Sequence, residues 1–218
     1  MKSHSRKKRR VTRRRRGRFR IARSVIPRQQ TVKLHYSEQT SITTTANLAH
    51  LYYRTNGIFD PTAGAGGGHQ PMGHDELANL YHHYAVIGSK ISVRALNKDT
   101  GDGMIVGLGV TASASGSSNL TEFTENEQTK TRMIGEFGSG NNFGSLTQGW
   151  SAKRQFTGRS PVSDSALRAT FGADPTEQSF FDICAAQATY GAYGGTVIFE
   201  IAVTYIVVLI EPKTLGLS

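Results

Sequence analysis

The sequence predicts an all-β chain: a two-sheet β-sandwich with Greek-key connections, one short helix in a long loop, and a basic N-terminal arm outside the fold. Three observations carry that expectation. Apolar and polar residues alternate with period two in most of the structured stretches. The 218 residues hold 24 Gly and are only 37% hydrophobic, ordinary for a loop-rich β protein and low for a helical one. Charge is segregated: residues 1–33 contain 15 Lys/Arg and no Asp or Glu, which leaves residues 34–218 with 11 basic and 16 acidic side chains, a net of −5. A polycationic arm over residues 1–30 is thus tethered to a mildly acidic body over residues 31–218.

Taken in order, residues 31–45 (TVKLHYSEQTSITTT) put Val32, Leu34, Tyr36 and Ile42 on one parity, a half-buried strand. Residues 74–84 break the pattern. Leu77, Leu80, Tyr81 and Tyr84 fall at i, i+3, i+4 and i+7 behind Asp75 and Glu76, which predicts an amphipathic helix of about three turns. Residues 84–97 return to alternation, with Ile91, Val93 and Ala95 against Ser92, Arg94 and Leu96. Residues 103–112 read as a short glycine-bearing strand, and 130–137 and 145–156 as weaker ones, the latter holding the only tryptophan, Trp150. A helical turn is expected at 163–170, capped by Ser163 or Asp164. Residues 180–189 and 196–211 close the chain as strands. In the last of these Val197, Phe199, Ile201, Val203, Tyr205, Val207 and Leu209 form one unbroken apolar face.

Seven or eight such strands fit a jelly roll or an immunoglobulin-like sandwich. The second is weakened by the absence of a cysteine pair, since Cys184 stands alone, and by the helix-bearing insertion. Residues 47–73 and 111–129 hardly alternate, and loops of that length in a compact domain usually serve a function or touch something.

The arm reads RKKRRVTRRRRGRFR over residues 6–20. A helix there would stack like charges without a carboxylate to pair them, and too little apolar surface exists to offset the ordering entropy, so the free arm is expected to be disordered. Eleven of the 15 cations in residues 1–33 are Arg, whose planar fork matches phosphate oxygens and stacks on bases. Arg6, Lys7, Lys8, Arg9, Arg10, Arg13, Arg14, Arg15, Arg16, Arg18, Arg20 and Arg23 are therefore the expected nucleic-acid contacts, sequence-blind because phosphate neutralisation carries no base information. The same run is dense enough to double as a nuclear import signal. The sequence leaves to the structure whether Lys153, Arg154 or Arg159 of the body joins that contact.

Other chemistry is not supported. The longest apolar stretch, residues 196–210, is shorter than the about 20 residues a membrane span needs and contains Glu200, so no membrane insertion is expected. No apolar core of a secretory signal follows the basic run. His69, His74, His82 and His83 crowd together without an i, i+4 pair or a Cys partner, so no metal site is expected and these are read as loop and helix-surface histidines. Residues 107–112 (GLGVTA) match a dinucleotide fingerprint only formally, since a Ser/Gly loop follows instead of a helix. Cys184, inside FFDICAA, is a buried small hydrophobe. No nucleophile–base set assembles, so neither catalysis nor a cofactor is expected.

The stretch YRTNGIFDP, followed by GHQPMGHDELANLYHHYAVIGSKI, resembles the capsid proteins of circovirus-like viruses, which carry circular single-stranded DNA and encode a Rep protein. The matching elements are Asn56, Gly57, Phe59, Asp60 and Pro61; Gly68, His69, Gln70 and Pro71; and Tyr81, Tyr84, Val86, Gly88, Ser89 and Lys90. Ala152-Lys153-Arg154 and Ala173-Asp174-Pro175 look like later family positions, while Gly73-His74 stands where relatives often carry an aromatic. The resemblance implies a single jelly roll, sixty copies of which close a small T=1 icosahedral shell around single-stranded DNA, or RNA on heterologous expression. It implies a virion protein that reaches the host nucleus through an import receptor. Tyr52, Tyr53, Phe59, His69, Gln70 and Pro71 are then the expected intersubunit contacts, the aromatics as anchors. The competing classes are a cellular nucleic-acid-binding protein with a basic tail and a jelly-roll lectin or enzyme. The first would usually spread its cations over the body, and the second would need His/Glu ligands on strands.

Overall fold

The computed structural model describes residues 25–44, 48–64, 68–189 and 194–214. Along them run β1 (Gln29–Thr43), β2 (Ala49–Arg54), α1 (His74–Leu80), β3 (Tyr81–Asn97), β4 (Met104–Thr111), α2 (Leu120–Glu125), β5 (Lys130–Ile134), β6 (Phe143–Ser151), α3 (Ala152–Gln155), β7 (Arg168–Thr170), β8 (Phe180–Gln187) and β9 (Thr196–Pro212). One sheet has the order β1-β9-β3-β6, with β7 continuing the β6 edge along the first residues of β3; the other has the order β2-β8-β4-β5. Every pairing is antiparallel. The pairs nest, first strand with last, second with next to last, so the chain is one long double ribbon wrapped into two sheets. That is a jelly roll. The immunoglobulin alternative falls because β1 and β2 lie in opposite sheets, whereas its first two strands are sheet neighbours.

The core sits where the alternation placed it. Val197, Phe199, Ile201, Val203, Tyr205, Val207 and Leu209 of β9 are all essentially without solvent contact, packed on Leu34, Tyr36 and Ile42 of β1 and on Phe181, Ile183 and Ala185 of β8. The reverse face of β9 is covered only near its end, where Val208 and Ile210 join Ala85 and Val162; Ile206 remains 41% exposed. Among the described residues no helix is long and apolar enough to cross a membrane.

Two expectations are corrected. The helix stops at Leu80 rather than Tyr84, because Tyr81 turns extended (φ −131°) and begins the ladder with β9. Gly73 opens the helix at φ 88° with no side-chain cap, so a short helix is weakly held against a strand that pairs on both edges. The register of β3 then slips between Val86 and Gly88, leaving Ile87 as an extra residue pointing outward. This bulge switches parity, and both Tyr84/Val86 and Ile91/Val93 therefore face the core. The second correction is at residues 163–170. The expected turn forms, capped by Asp164, whose Oδ1 accepts from the Ala166 N–H (3.0 Å) and whose carbonyl accepts from the Arg168 N–H (3.1 Å), but it ends there and residues 168–170 are the short strand β7.

Neither β2, in the stretch after β1, nor α2, in the stretch after β4, showed a periodicity that predicted it. Asn119 caps α2 by accepting from the Glu122 N–H (2.9 Å), and Phe123 drops onto the outer face of the second sheet beside Cys184. The glycines of residues 107–112 make room for it. A Cβ on Gly107 would stand 2.5 Å from Cys184 Sγ and 2.6 Å from Phe123 Cε1.

Candidate assembly and nucleic-acid interface

The residues that carried the family resemblance converge on one buried carboxylate. Asp174 Oδ1 accepts from the Phe59 N–H (3.2 Å) and at longer range from the Asp60 N–H (3.5 Å). The Tyr84 hydroxyl donates to Ala173 O (3.0 Å) and Asp174 Oδ1 (3.2 Å), and accepts from the Ile58 N–H (3.3 Å). Arg54 locks the segment from the other side: Nη1 donates to the carbonyls of Asp60 and Thr62, both at 2.6 Å, and Nε lies 3.5 Å from Asp174 Oδ2. Gly57 has to be glycine here, since a Cβ would sit 2.5 Å from Asp174 Oδ1. Asn56 donates to Glu177 O (2.9 Å) and accepts from the Ser179 N–H (3.2 Å), while Ser89 donates to Thr55 O (2.7 Å). The motif is therefore a knot that ties residues 54–62 to the approach to β8 and to β3.

Electrostatics matter because the Asp174 side chain is only 8% exposed. Burial pushes the Asp174 carboxyl up, against the opposing pull of Arg54, the Asp60 and Phe59 N–H groups and the Tyr84 hydroxyl. Burial and then the Asp174 charge push the Tyr84 phenol well up, so it stays protonated and donates.

The knot sorts the expected intersubunit contacts. Tyr53 is 2% exposed, with its hydroxyl donating to Glu38 (3.0 Å), and Pro71 is likewise buried, so both are packing residues of the subunit's own interior. Tyr52 is half-buried on the outer face of the second sheet, stacked on His50. Phe59 is 37% exposed, His69 stacks on Tyr36 at 4.6 Å and faces outward, and Gln70 lies beside it. Exposed apolar side chains that the sequence did not single out are Met133 (68%) on the outer face of the second sheet, Phe143 (44%) on the outer face of the first, and Phe137 (50%) in the loop between them. The surface histidine reading also needs correction: His74 is buried, with Nδ1 on Asp75 (3.0 Å) and its ring against Phe171. Among the described residues no three His, Cys, Asp or Glu side chains are placed to hold a metal ion.

The twelve arm cations from Arg6 to Arg23 lie outside the described residues. The arm joins the body at the edge strand β1, where Val25 is 90% exposed and the Tyr81 hydroxyl donates to Pro27 O (3.1 Å). Of the three body cations in question, Arg159 is tied to Asp164 and Glu177 (both 2.6 Å). Lys153 and Arg154, on α3, are exposed and have no carboxylate partner among the described residues.

A second buried pair holds the long loop after β4. His50 Nδ1 is 2.7 Å from Asp182 Oδ1 and Nε2 is 3.0 Å from Ser117 O. Both partners are acceptors, so the ring must donate from both nitrogens, as an imidazolium. Burial lowers its pKa, but the Asp182 hydrogen bond and charge and the Ser117 carbonyl outweigh that, and the net direction is up. A histidine raised in the fold contributes stability fully below its unfolded value and loses it as pH rises through the folded value. His50→Ala should therefore cost about 3 kcal/mol at pH 6, by stranding the buried Asp182 carboxylate, and less at pH 9, where the pair is already weakened. Denaturant midpoints of both proteins at the two pH values check this.

No protein-family model matches the chain, and no curated protein matches it in sequence. Solved structures similar to it include the empty head of Turnip Yellow Mosaic Virus, at 13% identity over 91% of this chain and 89% of that chain, with a TM-score of 0.43. The decameric BFDV capsid protein is similar at 11% identity over 84% of this chain and 99% of that chain, with a TM-score of 0.44. The semi-empty virus-like particle of the giant freshwater prawn Macrobrachium rosenbergii nodavirus is similar at 11% identity over 98% and 97% of the two chains, with a TM-score of 0.45.

Proposed function

We propose that this chain is a viral capsid protein of the circovirus-like kind, whose jelly-roll body self-associates into a closed T=1 shell and whose Arg-rich arm gathers single-stranded DNA inside it. The observation that carries the reading is the segregation of charge: a +15 stretch ends within 33 residues, and the remaining body is net negative. An acidic body alone would not hold a polyanion, and an arm alone would not enclose one. Sixty copies would bring about 900 arm cations to the lumen, enough for on the order of 900 phosphates. The motif block supports the same reading: its knot holds Phe59 at the surface, and His69, stacked on Tyr36, is exposed where a neighbouring subunit would meet it. Met133, 68% exposed on the outer face of the second sheet, and Phe143, 44% exposed on the outer face of the first, offer further apolar contacts on two different faces. Unlike contact faces suit the head-to-tail contacts that build rings and shells. The arm would also serve as the nuclear import signal.

Electron microscopy of the full chain, purified with and without added circular single-stranded DNA, tests the proposal. Closed shells of uniform diameter that protect the DNA from nuclease are expected. A chain that stays monomeric at neutral pH and leaves the DNA naked ends it, and monomers that bind DNA would instead mark a cellular nucleic-acid-binding protein.

A further inference from the structure

β5 and β6 are the edge strands of opposite sheets on one side of the sandwich, bridged where Lys130 Nζ donates to Thr147 O (2.7 Å). A groove of about 640 Å³ lies there, lined by Lys130, Gln148, Gly149, Trp150, Ser151 and Arg154. Its chemistry is unlike that of the body around it. Both cations are without a carboxylate partner among the described residues, although carboxylates outnumber cations in residues 34–218. Two of the four enclosed side-chain polar atoms that find no hydrogen-bond partner also belong to lining residues, Gln148 Oε1 and Trp150 Nε1. These side chains are only 9% and 6% exposed. A buried donor and a buried acceptor without partners each carry a desolvation cost with no bond in return. Both being on one groove points to a ligand that supplies the missing halves.

We propose that this groove is a nucleotide subsite on the folded body, taking one residue of a single-stranded nucleic acid. Lys130 and Arg154 meet the phosphate. Gln148 Oε1 and Trp150 Nε1, enclosed behind the groove wall with Trp150 packed edge-on against Phe156, turn outward to meet the base on binding, and every Watson–Crick edge sets a donor beside an acceptor, so the subsite tolerates any sequence. Gly149, where a Cβ would meet nothing within 4 Å, keeps the wall open between the two polar side chains. The inference rests on the packaging reading for its ligand class. It adds to the arm a fixed contact that orders the strand against the shell.

Trp150 is the only tryptophan in the chain, so its emission reports on this groove and not on the arm. Titration of the full chain with thymidine 5′-monophosphate should give a saturable change in Trp150 emission, with thymidine and inorganic phosphate each at least tenfold weaker. Lys130→Glu and Arg154→Glu, both at exposed positions, should each weaken the nucleotide response about tenfold with an unchanged far-ultraviolet circular dichroism spectrum. An emission that stays flat at millimolar nucleotide overturns the proposal. So does a response to phosphate equal to that for the nucleotide, or one that survives both substitutions. The packaging reading fails or stands separately, by microscopy. Closed shells with a silent Trp150 sink the subsite alone, and a responsive Trp150 in a monomeric protein supports the subsite without the shell.

Discussion

Affinity of the full chain for a single-stranded oligonucleotide will fall about 300- to 16,000-fold between about 50 and 200 mM salt, the loss expected when six to ten phosphates of a single strand are neutralised. The cause is counterion release, and residues 1–33 hold 15 cations for it with no carboxylate to compete. Changing Arg13, Arg14, Arg15 and Arg16 together to Gln should flatten the log–log salt slope by about 2.8, since each contact to a single strand contributes about 0.7. Deleting residues 1–30 should remove almost the whole slope. What survives deletion measures the body, so a truncated chain that keeps the full slope would remove the arm from the mechanism. Fluorescence anisotropy of a labelled homopolymer over a salt series gives all three values.

The second large effect is on stability. Asp174→Ala should cost about 1–3 kcal/mol, because it removes the acceptor of the Phe59 N–H, one acceptor of the Tyr84 hydroxyl and one of the two carboxylates on Arg54, which keeps Asp60 (3.1 Å) and Gln178 (2.9 Å). Against a typical total of about 5–15 kcal/mol that is a large share. Asp174→Asn keeps an acceptor of the same shape and should cost clearly less. The sign with pH follows from burial having raised the Asp174 pKa in the fold. Its contribution is full below 3.8, the unperturbed value, and declines as pH rises through the folded one. The Asn variant should lack that acid-side decline. Chemical denaturation of dissociated subunits across pH separates the three proteins. If the Ala and Asn variants unfold at the same midpoint, the network around Arg54 is not what holds residues 54–62.

Legibility in the sequence tracked how many faces of an element are covered. β9 and β1 each bury one parity against the core, so alternation revealed them nearly to the residue. β2 escaped because Leu51 and Tyr53 face the core while His50 and Tyr52 are covered by the loop and helix after β4, which erases the polar half of the pattern. At residues 74–84 helical spacing and a strand start were superimposed. The β9 ladder decided between them, a partner more than 120 residues away. The charge of the arm was plain. Asp174 was visible only as part of a family-like triplet, and nothing local marks Arg54 as its partner. The groove was invisible for the same reason: Lys130 and Arg154 belong to different layers and meet only because the edges of the two sheets lie side by side.

Nested pairing also has a consequence in time. Gln29 is matched to Ile210 and Thr43 to Thr196, so β1 is made more than 150 residues before the strand that pairs with it. Such distant closures fold slowly, in milliseconds to seconds. A ribosome that stalls before β9 releases a product lacking the central strand of one sheet, with β1 left unzipped. A product cut short before β9 cannot close this sheet, and the fold itself acts as its proofreader.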